Sequence, residues 1–239
     1  MQLLVSVAGP SEAQAALAGG AAVIDAKDPR LGALAAVRPA VLRAVRAAVP
    51  MTHPLSVVLG DGGRPAALAR RAAAASRLAA AFVKLGFRGI TTEVRAHRLA
   101  TTARRGAGDQ TRLVLVAYGD WLRAESLEPG AVVTVASRAG AAGVLLDTAV
   151  KETGLFTLID ADAVGTWVER VHAAGLFAGL AGGLRAADFA LARALGADLV
   201  GVRGAACVGG RTGRVSALRV AELSALARAA PLAAPAAFV

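Results

Sequence analysis

Eight short apolar runs of β-type composition recur along the chain, each followed by a longer segment of helical character. The runs are "LLVSV" (3–7), "AVIDAK" (22–27), "LSVVLG" (55–60), "AFVKLGF" (81–87), "RLVLVAYGD" (112–120), "GVLLDTAV" (143–150), "LFAGLAG" (176–182) and "LVGVRGAA" (199–206). Between them lie segments such as "SEAQAALAGG", "DADAVGTWVERVHAAG" and "RAADFALARALGA". Ser11 opens the first, Asp160 stands as a cap before the second, the third follows Gly183, and several end at glycine, as helix boundaries do. The centre of "LEPGAVVTVASRAGA" is Val-rich and strand-like, but its place in the alternation predicts a helix, or a turn plus helix.

This β/α alternation makes a parallel sheet, and eight regular units in 239 residues match closure into a single (β/α)8 TIM barrel. An open doubly wound sheet is the structural alternative. No GxGxxG opens the first helix, and eight units favour closure. The expected organisation is one catalytic domain over residues 1–228, followed by a flexible tail, "AAPLAAPAAFV" (229–239). In such barrels the chemistry sits at the C-terminal ends of the strands.

Composition narrows the partners. The formal charge of +10 is compatible with nucleic acid, but Arg is scattered along predicted helices, and six Phe, two Trp and one Tyr offer little for base stacking. A solvated Arg-rich surface without nucleic-acid binding is expected, and a non-catalytic nucleic-acid-binding barrel would rest on the charge alone. No apolar stretch reaches the roughly 18 residues of a spanning helix. The N-terminus lacks the pattern of a signal peptide, so a cytoplasmic protein without membrane contact is expected. The lone Cys207 reads as a small packed residue in a reducing compartment.

Lysine usage is the sharper clue. Only Lys27, Lys84 and Lys151 are lysines among the 27 basic residues, so the chain uses Arg almost wherever a positive charge is needed. An ε-amine can lose its proton and attack a carbonyl, which a guanidinium cannot do. All three lysines fall at the expected functional rim: Lys27 ends the second run, Lys84 lies in the fourth, and Lys151 follows the sixth. Strand alternation puts Asp25 and Lys27 on one face and turns Ile24 and Ala26 toward the helices. Asp147 lies within the sixth run, four residues before Lys151. Salt bridges to Asp25 and Asp147 that merely close the barrel are one reading of this group. The better one is catalytic: neighbouring cations and desolvation lower an amine's pKa, while carboxylates hold protonated partners and move protons. His53, His97 and His172 end no strand, and nothing has metal-ligand spacing, so neither a metal nor a cofactor is expected.

The late loops indicate what the substrate carries. "AGGLR" (181–185) and "VRGAACVGGRTGR" (202–214) follow the seventh and eighth runs, where many barrels bind phosphate. Gly182, Gly183 and Gly204 allow close backbone approach, and Arg185 or Arg203 adds charge. Amine chemistry beside a phosphate cradle points to a phosphorylated carbonyl compound.

Three long segments, "IDAKDP", "LLDTAVK" and "VGVRGAAC", together with "FVKLGF" and "GLAGGLR", resemble the (5-formylfuran-3-yl)methyl phosphate synthase family, over about residues 3–225 and in the same strand order. The resemblance implies a TIM-barrel lyase of methanofuran biosynthesis. It would condense two glyceraldehyde 3-phosphate molecules, with loss of phosphate and water, to 4-(hydroxymethyl)-2-furaldehyde phosphate. By motif match it implies Lys27 as the Schiff-base lysine and Lys84 as the proton acceptor, with Asp25, Asp147 and Lys151 at the remaining active-site positions. The partner implied is a phosphorylated triose, and a homo-oligomer is left open. Another Schiff-base sugar-phosphate aldolase on the same barrel is the alternative.

Overall fold

The computed structural model describes residues 1–229. Each apolar run is a strand: β1 (Gln2–Val7), β2 (Val23–Ala26), β3 (Leu55–Asp61), β4 (Phe82–Gly86), β5 (Arg112–Tyr118), β6 (Gly143–Asp147), β7 (Phe177–Leu180) and β8 (Leu199–Val202). They pair in parallel, each with its neighbour in sequence, and β8 returns to β1, so the chain is a closed eight-stranded (β/α)8 barrel. Around it lie α1 (Pro10–Ala18), α2 (Pro39–Ala48), α3 (Pro65–Arg77), α4 (Glu93–Ala107), α5 (Pro129–Arg138), the short α6 (Leu155–Leu158), α7 (Ala161–Ala173), α8 (Asp188–Ala194) and α9 (Ala217–Arg228). A 3-10 turn (Gly204–Ala206) and a two-stranded ribbon, β9 (Cys207–Val208) with β10 (Arg214–Val215), follow β8. Ala229 is the last described residue, and residues 230–239 of the expected tail lie outside the described residues. No described helix is long and apolar enough to cross a membrane.

The Val-rich segment is helical because tertiary context overrides strand propensity. Glu128 caps α5 by accepting from the Gly130 amide, Pro129 takes the first turn, and Val132, Val133 and Val135 are buried. Asp160 caps α7 in the same way, accepting from Ala163.

Strand alternation divides the core in two. Ile24, Ala26, Val83 and Leu85 pack between the barrel and its helices. Leu4, Val23, Val114, Leu145 and Leu199 fill the barrel interior, against Phe82 and Phe177 at the N-terminal end. Those two rings meet edge to face, with centroids 5.9 Å apart, and the Arg112 guanidinium covers Phe82 at 4.2 Å. Gly143 makes room for them, because a Cβ there would stand 2.6 Å from the Phe177 ring. The interior is therefore packed and apolar below, and polar groups collect at the other end.

Candidate active site

Lys27 stands one residue beyond β2, its amide continuing the ladder to Val7 O at 3.1 Å. Asp25, two residues earlier, is fully buried and accepts from Lys84 Nζ at 2.7 Å and Ser6 Oγ at 3.0 Å, both on Oδ2. Its Oδ1 has no hydrogen-bond partner among the described residues. At the tip of β6, Asp147 Oδ1 accepts from Lys151 Nζ at 2.5 Å and from the Thr148 amide at 2.7 Å. Two lysine–carboxylate pairs therefore balance each other's charge. Lys27 Nζ is the odd cation, without a hydrogen bond among the described residues.

The electrostatics follow from that count. Burial is the main force on Lys27 and lowers its pKa to about 8. The ammoniums of Lys84 and Lys151 push the same way, while Asp147 and Asp25 oppose them. Relative to an ordinary lysine, the neutral fraction at pH 7 rises roughly 300-fold. Burial pushes the Asp147 carboxyl up, but Lys151 and Lys27 and the hydrogen bonds from Lys151 and Thr148 outweigh it. Asp147 is thus held below the usual carboxylate range. The site holds a nucleophilic amine and an ionised acceptor side by side.

Lys27, Lys84, Asp147 and Lys151 line one cavity of about 340 Å³ at the C-terminal end of the barrel, within the size range of small-ligand sites. The loops after β7 and β8 form its other wall, and all five residues expected from them, Gly182, Gly183, Arg185, Arg203 and Gly204, line it. Gly182 and Gly183 have φ of +92° and +70°, and a Cβ on Gly182 would press on the Thr148 amide nitrogen at 3.0 Å. Arg185 is exposed. Arg203 is buried, and each of its five N–H groups has a protein acceptor: Arg211 O, Ser6 O, Gly213 O and both oxygens of Glu12. It fastens β8 to β1, α1 and the ribbon, and has no donor left for a ligand.

Several rim residues escape a reading by sequence alone. Tyr118, at the end of β5, donates to Asp61 Oδ1, at the end of β3, at 2.5 Å. Burial raises the Asp61 pKa against the pull of Tyr118 and Arg88, and burial with the Asp61 charge pushes Tyr118 well above its ordinary value. Both are polar residues at the C-terminal tips of strands, as Asp147 is. Asp120 accepts from the amides of Ala149 and Val150 at 2.7 and 2.8 Å and so fixes the loop between Asp147 and Lys151. The loop after Lys27 folds into the mouth, where Ala33 and Leu34 are buried in one cluster with Tyr118, Ala124 and Ala149. None of the three histidines lines the cavity, and Cys207 is a free buried thiol.

The chain aligns with known proteins along nearly the whole barrel. The 3-hexulose-6-phosphate synthase structure superposes with a TM-score of 0.64, covering 95% of this chain and 99% of that one, but at 17% identity it speaks for the fold alone. The (5-formylfuran-3-yl)methyl phosphate synthase of Methanopyrus kandleri is 38% identical over 218 residues, 89% of this chain and 92% of its own. That of Methanocaldococcus jannaschii is 34% identical over 235 residues, 95% of this chain and all of its own (100%). A family model described as 4-HFC-P synthase matches residues 3–224, which span every strand of the barrel and all five residues of the lysine–carboxylate cluster, and the chain belongs to that family.

Proposed function

We propose that this protein is a lyase that condenses two molecules of glyceraldehyde 3-phosphate to 4-(hydroxymethyl)-2-furaldehyde phosphate, with loss of phosphate and water, in methanofuran biosynthesis. The observation that carries the reading is Lys27: a buried amine with a pKa near 8, free of hydrogen bonds among the described residues, between two lysine–carboxylate pairs. Its neutral form attacks a triose carbonyl, and water leaves to give a protonated imine. The imine draws electrons from the adjacent carbon, which gives up a proton to become a nucleophilic enamine. Lys84 moves that proton, and Asp25 holds Lys84 in place through its 2.7 Å hydrogen bond. The enamine attacks the aldehyde of the second triose, and elimination of phosphate, ring closure and dehydration give the aromatic furan. Asp147 and Lys151 exchange protons during the eliminations. The glycine loops after β7 and β8 hold the phosphate that is retained.

The test is reductive trapping. Borohydride added to the protein with glyceraldehyde 3-phosphate is expected to leave a triose-phosphate adduct on the Lys27 peptide by mass spectrometry. The unreduced reaction develops the near-ultraviolet band of a furaldehyde. An adduct with an acyclic product would make this a sugar-phosphate aldolase, and the absence of any adduct would sink the covalent mechanism.

The reaction also has a defined pH dependence. Imine formation needs the neutral amine, so its rate rises with pH up to about 8 and then levels. Lys84→Met removes a neighbouring cation and leaves Asp25 unpaired, and both changes raise the Lys27 pKa. The trapping rate of this variant is expected to keep rising beyond pH 8. A limb that stays in place would mean that another group sets it.

A further inference from the structure

Three arginines line the catalytic cavity, and their donors separate them. Arg203 is saturated by the protein. Arg185 projects from the loop after β7 and is exposed, its amide donating to the Asp188 carboxylate at 2.7 Å and its carbonyl accepting from the Asp188 amide at 3.0 Å. Arg211 belongs to the turn between β9 and β10 and is intermediate in exposure. Its Nη1 donates to Pro29 O and its Nη2 to Gly32 O, each at 2.6 Å. A guanidinium has five N–H groups, so among the described residues Nε–H and one N–H on each Nη have no acceptor. Two backbone carbonyls fix the plane of the group while half or more of its hydrogen-bonding capacity stays available.

Its surroundings are those of an anion site. A Cβ on Gly204 would lie 3.9 Å from Arg211 N and 4.0 Å from its Cα, so the turn carrying Arg211 lies over the start of the 3-10 turn. Among the described residues, the Gly183 and Gly204 amides donate to no protein acceptor. Burial lowers the Arg211 pKa and the Asp147 carboxylate opposes it, which places the guanidinium within the field of the lysine cluster. Pro29 and Gly32 lie on the loop that leaves Lys27, so Arg211 also joins the two sides of the mouth.

We propose that Arg211 is the arginine that binds the substrate's phosphate monoester, acting with the Gly183 and Gly204 amides on the wall made by the loops after β7 and β8. The assignment deepens the proposed function, on which it relies only for the identity of the phosphate ester. It also separates two arginines of one loop: Arg203 holds the fold together, and Arg211 meets the ligand.

Calorimetric titration of inorganic phosphate into the full-length protein tests the anion site, and borohydride trapping tests its link to the substrate. In Arg211→Gln, phosphate affinity is expected to fall roughly tenfold or more, as for loss of a charge-assisted fork. Trapping of glyceraldehyde 3-phosphate falls relative to unphosphorylated glyceraldehyde by a similar ratio, and the turnover loss weighs on KM more than on kcat. Arg211→Lys keeps the charge without the fork and is expected to lie between wild type and Arg211→Gln. It also serves as the reporter if the glutamine variant fails to fold. Unchanged phosphate affinity in both variants would overturn the assignment. So would equal loss of trapping for both aldehydes, which would reduce Arg211 to a residue that positions the loop beside Lys27. A wild-type protein that binds phosphate through Arg211 but makes no furan would leave this assignment standing and remove the proposed reaction.

Discussion

Replacing Lys27 with methionine is expected to lower furan formation roughly 10,000-fold or more, the scale on which enzymes lose a covalent nucleophile, and at the same time to make the protein more stable. The two effects have one cause. In the unfolded chain Lys27 has the ordinary value of 10.5, and folding lowers it to about 8. For a base shifted downward, the fold carries a penalty wherever the group is protonated in both states, that is, at pH below about 8. The penalty fades as pH rises from 8 through 10.5 and is gone above. At neutral pH it amounts to ~3 kcal/mol. Methionine removes it while filling a similar volume, so thermal unfolding at pH 7 is expected to move upward by roughly 5–10 °C. The advantage should shrink in parallel scans toward pH 10. Lys27→Arg supplies the contrast: it loses the same activity, because a guanidinium forms no imine, but keeps the buried charge and gains no stability. A methionine variant that melts at or below wild type would mean that Lys27 is not held against its solvation in the fold.

The second large effect lies at the seam between β8 and β1. Glu12 accepts from both terminal nitrogens of Arg203, at 2.5 and 3.0 Å, and from the Ala8 amide at 2.7 Å. Arg203 is 7% exposed, so Glu12→Ala leaves a buried cation without its counter-charge. Breaking a buried pair from one side costs about 3–5 kcal/mol. For a chain of this size that lowers the melting temperature on the order of 10 °C. Replacing both partners with apolar residues, as in Glu12→Leu with Arg203→Met, should recover much of the loss, since neither charge is then stranded. Urea unfolding of the three proteins reads both effects. A Glu12→Ala protein within about 1 kcal/mol of wild type would show that water solvates the guanidinium at no cost.

The eight strands are legible in the sequence because each is a compact apolar run, set off from its neighbours by helical patterning. Their C-terminal limits are less so. The runs read as 143–150, 176–182 and 199–206 end as strands at Asp147, Leu180 and Val202. The reason is physical: the exit loops are themselves buried and apolar, with Ala149, Ala181 and Ala206 all in the core, so hydrophobicity does not mark where hydrogen-bond pairing stops. The lysine–carboxylate cluster stood out because rare residues broke apolar runs at strand tips. Asp61 and Tyr118 carry the same signal more faintly, since a tyrosine is at home in a strand. The role of Arg203 was beyond reach, because its partner Glu12 is 191 residues away and a chain with so many arginines does not distinguish one that holds strands together from one that faces a ligand. Only donor-by-donor accounting tells Arg203 from Arg211.

The Phe82–Phe177 pair, with the Arg112 guanidinium over Phe82, packs the barrel interior at its N-terminal end, and the cavity with the lysines lies at the other end. Under the proposed chemistry, both trioses, the released phosphate and the furan all pass through the C-terminal mouth. Traffic is then last in, first out. The triose deepest in the chamber has to stay while its partner arrives behind it, and its bond to Lys27 is what keeps it there.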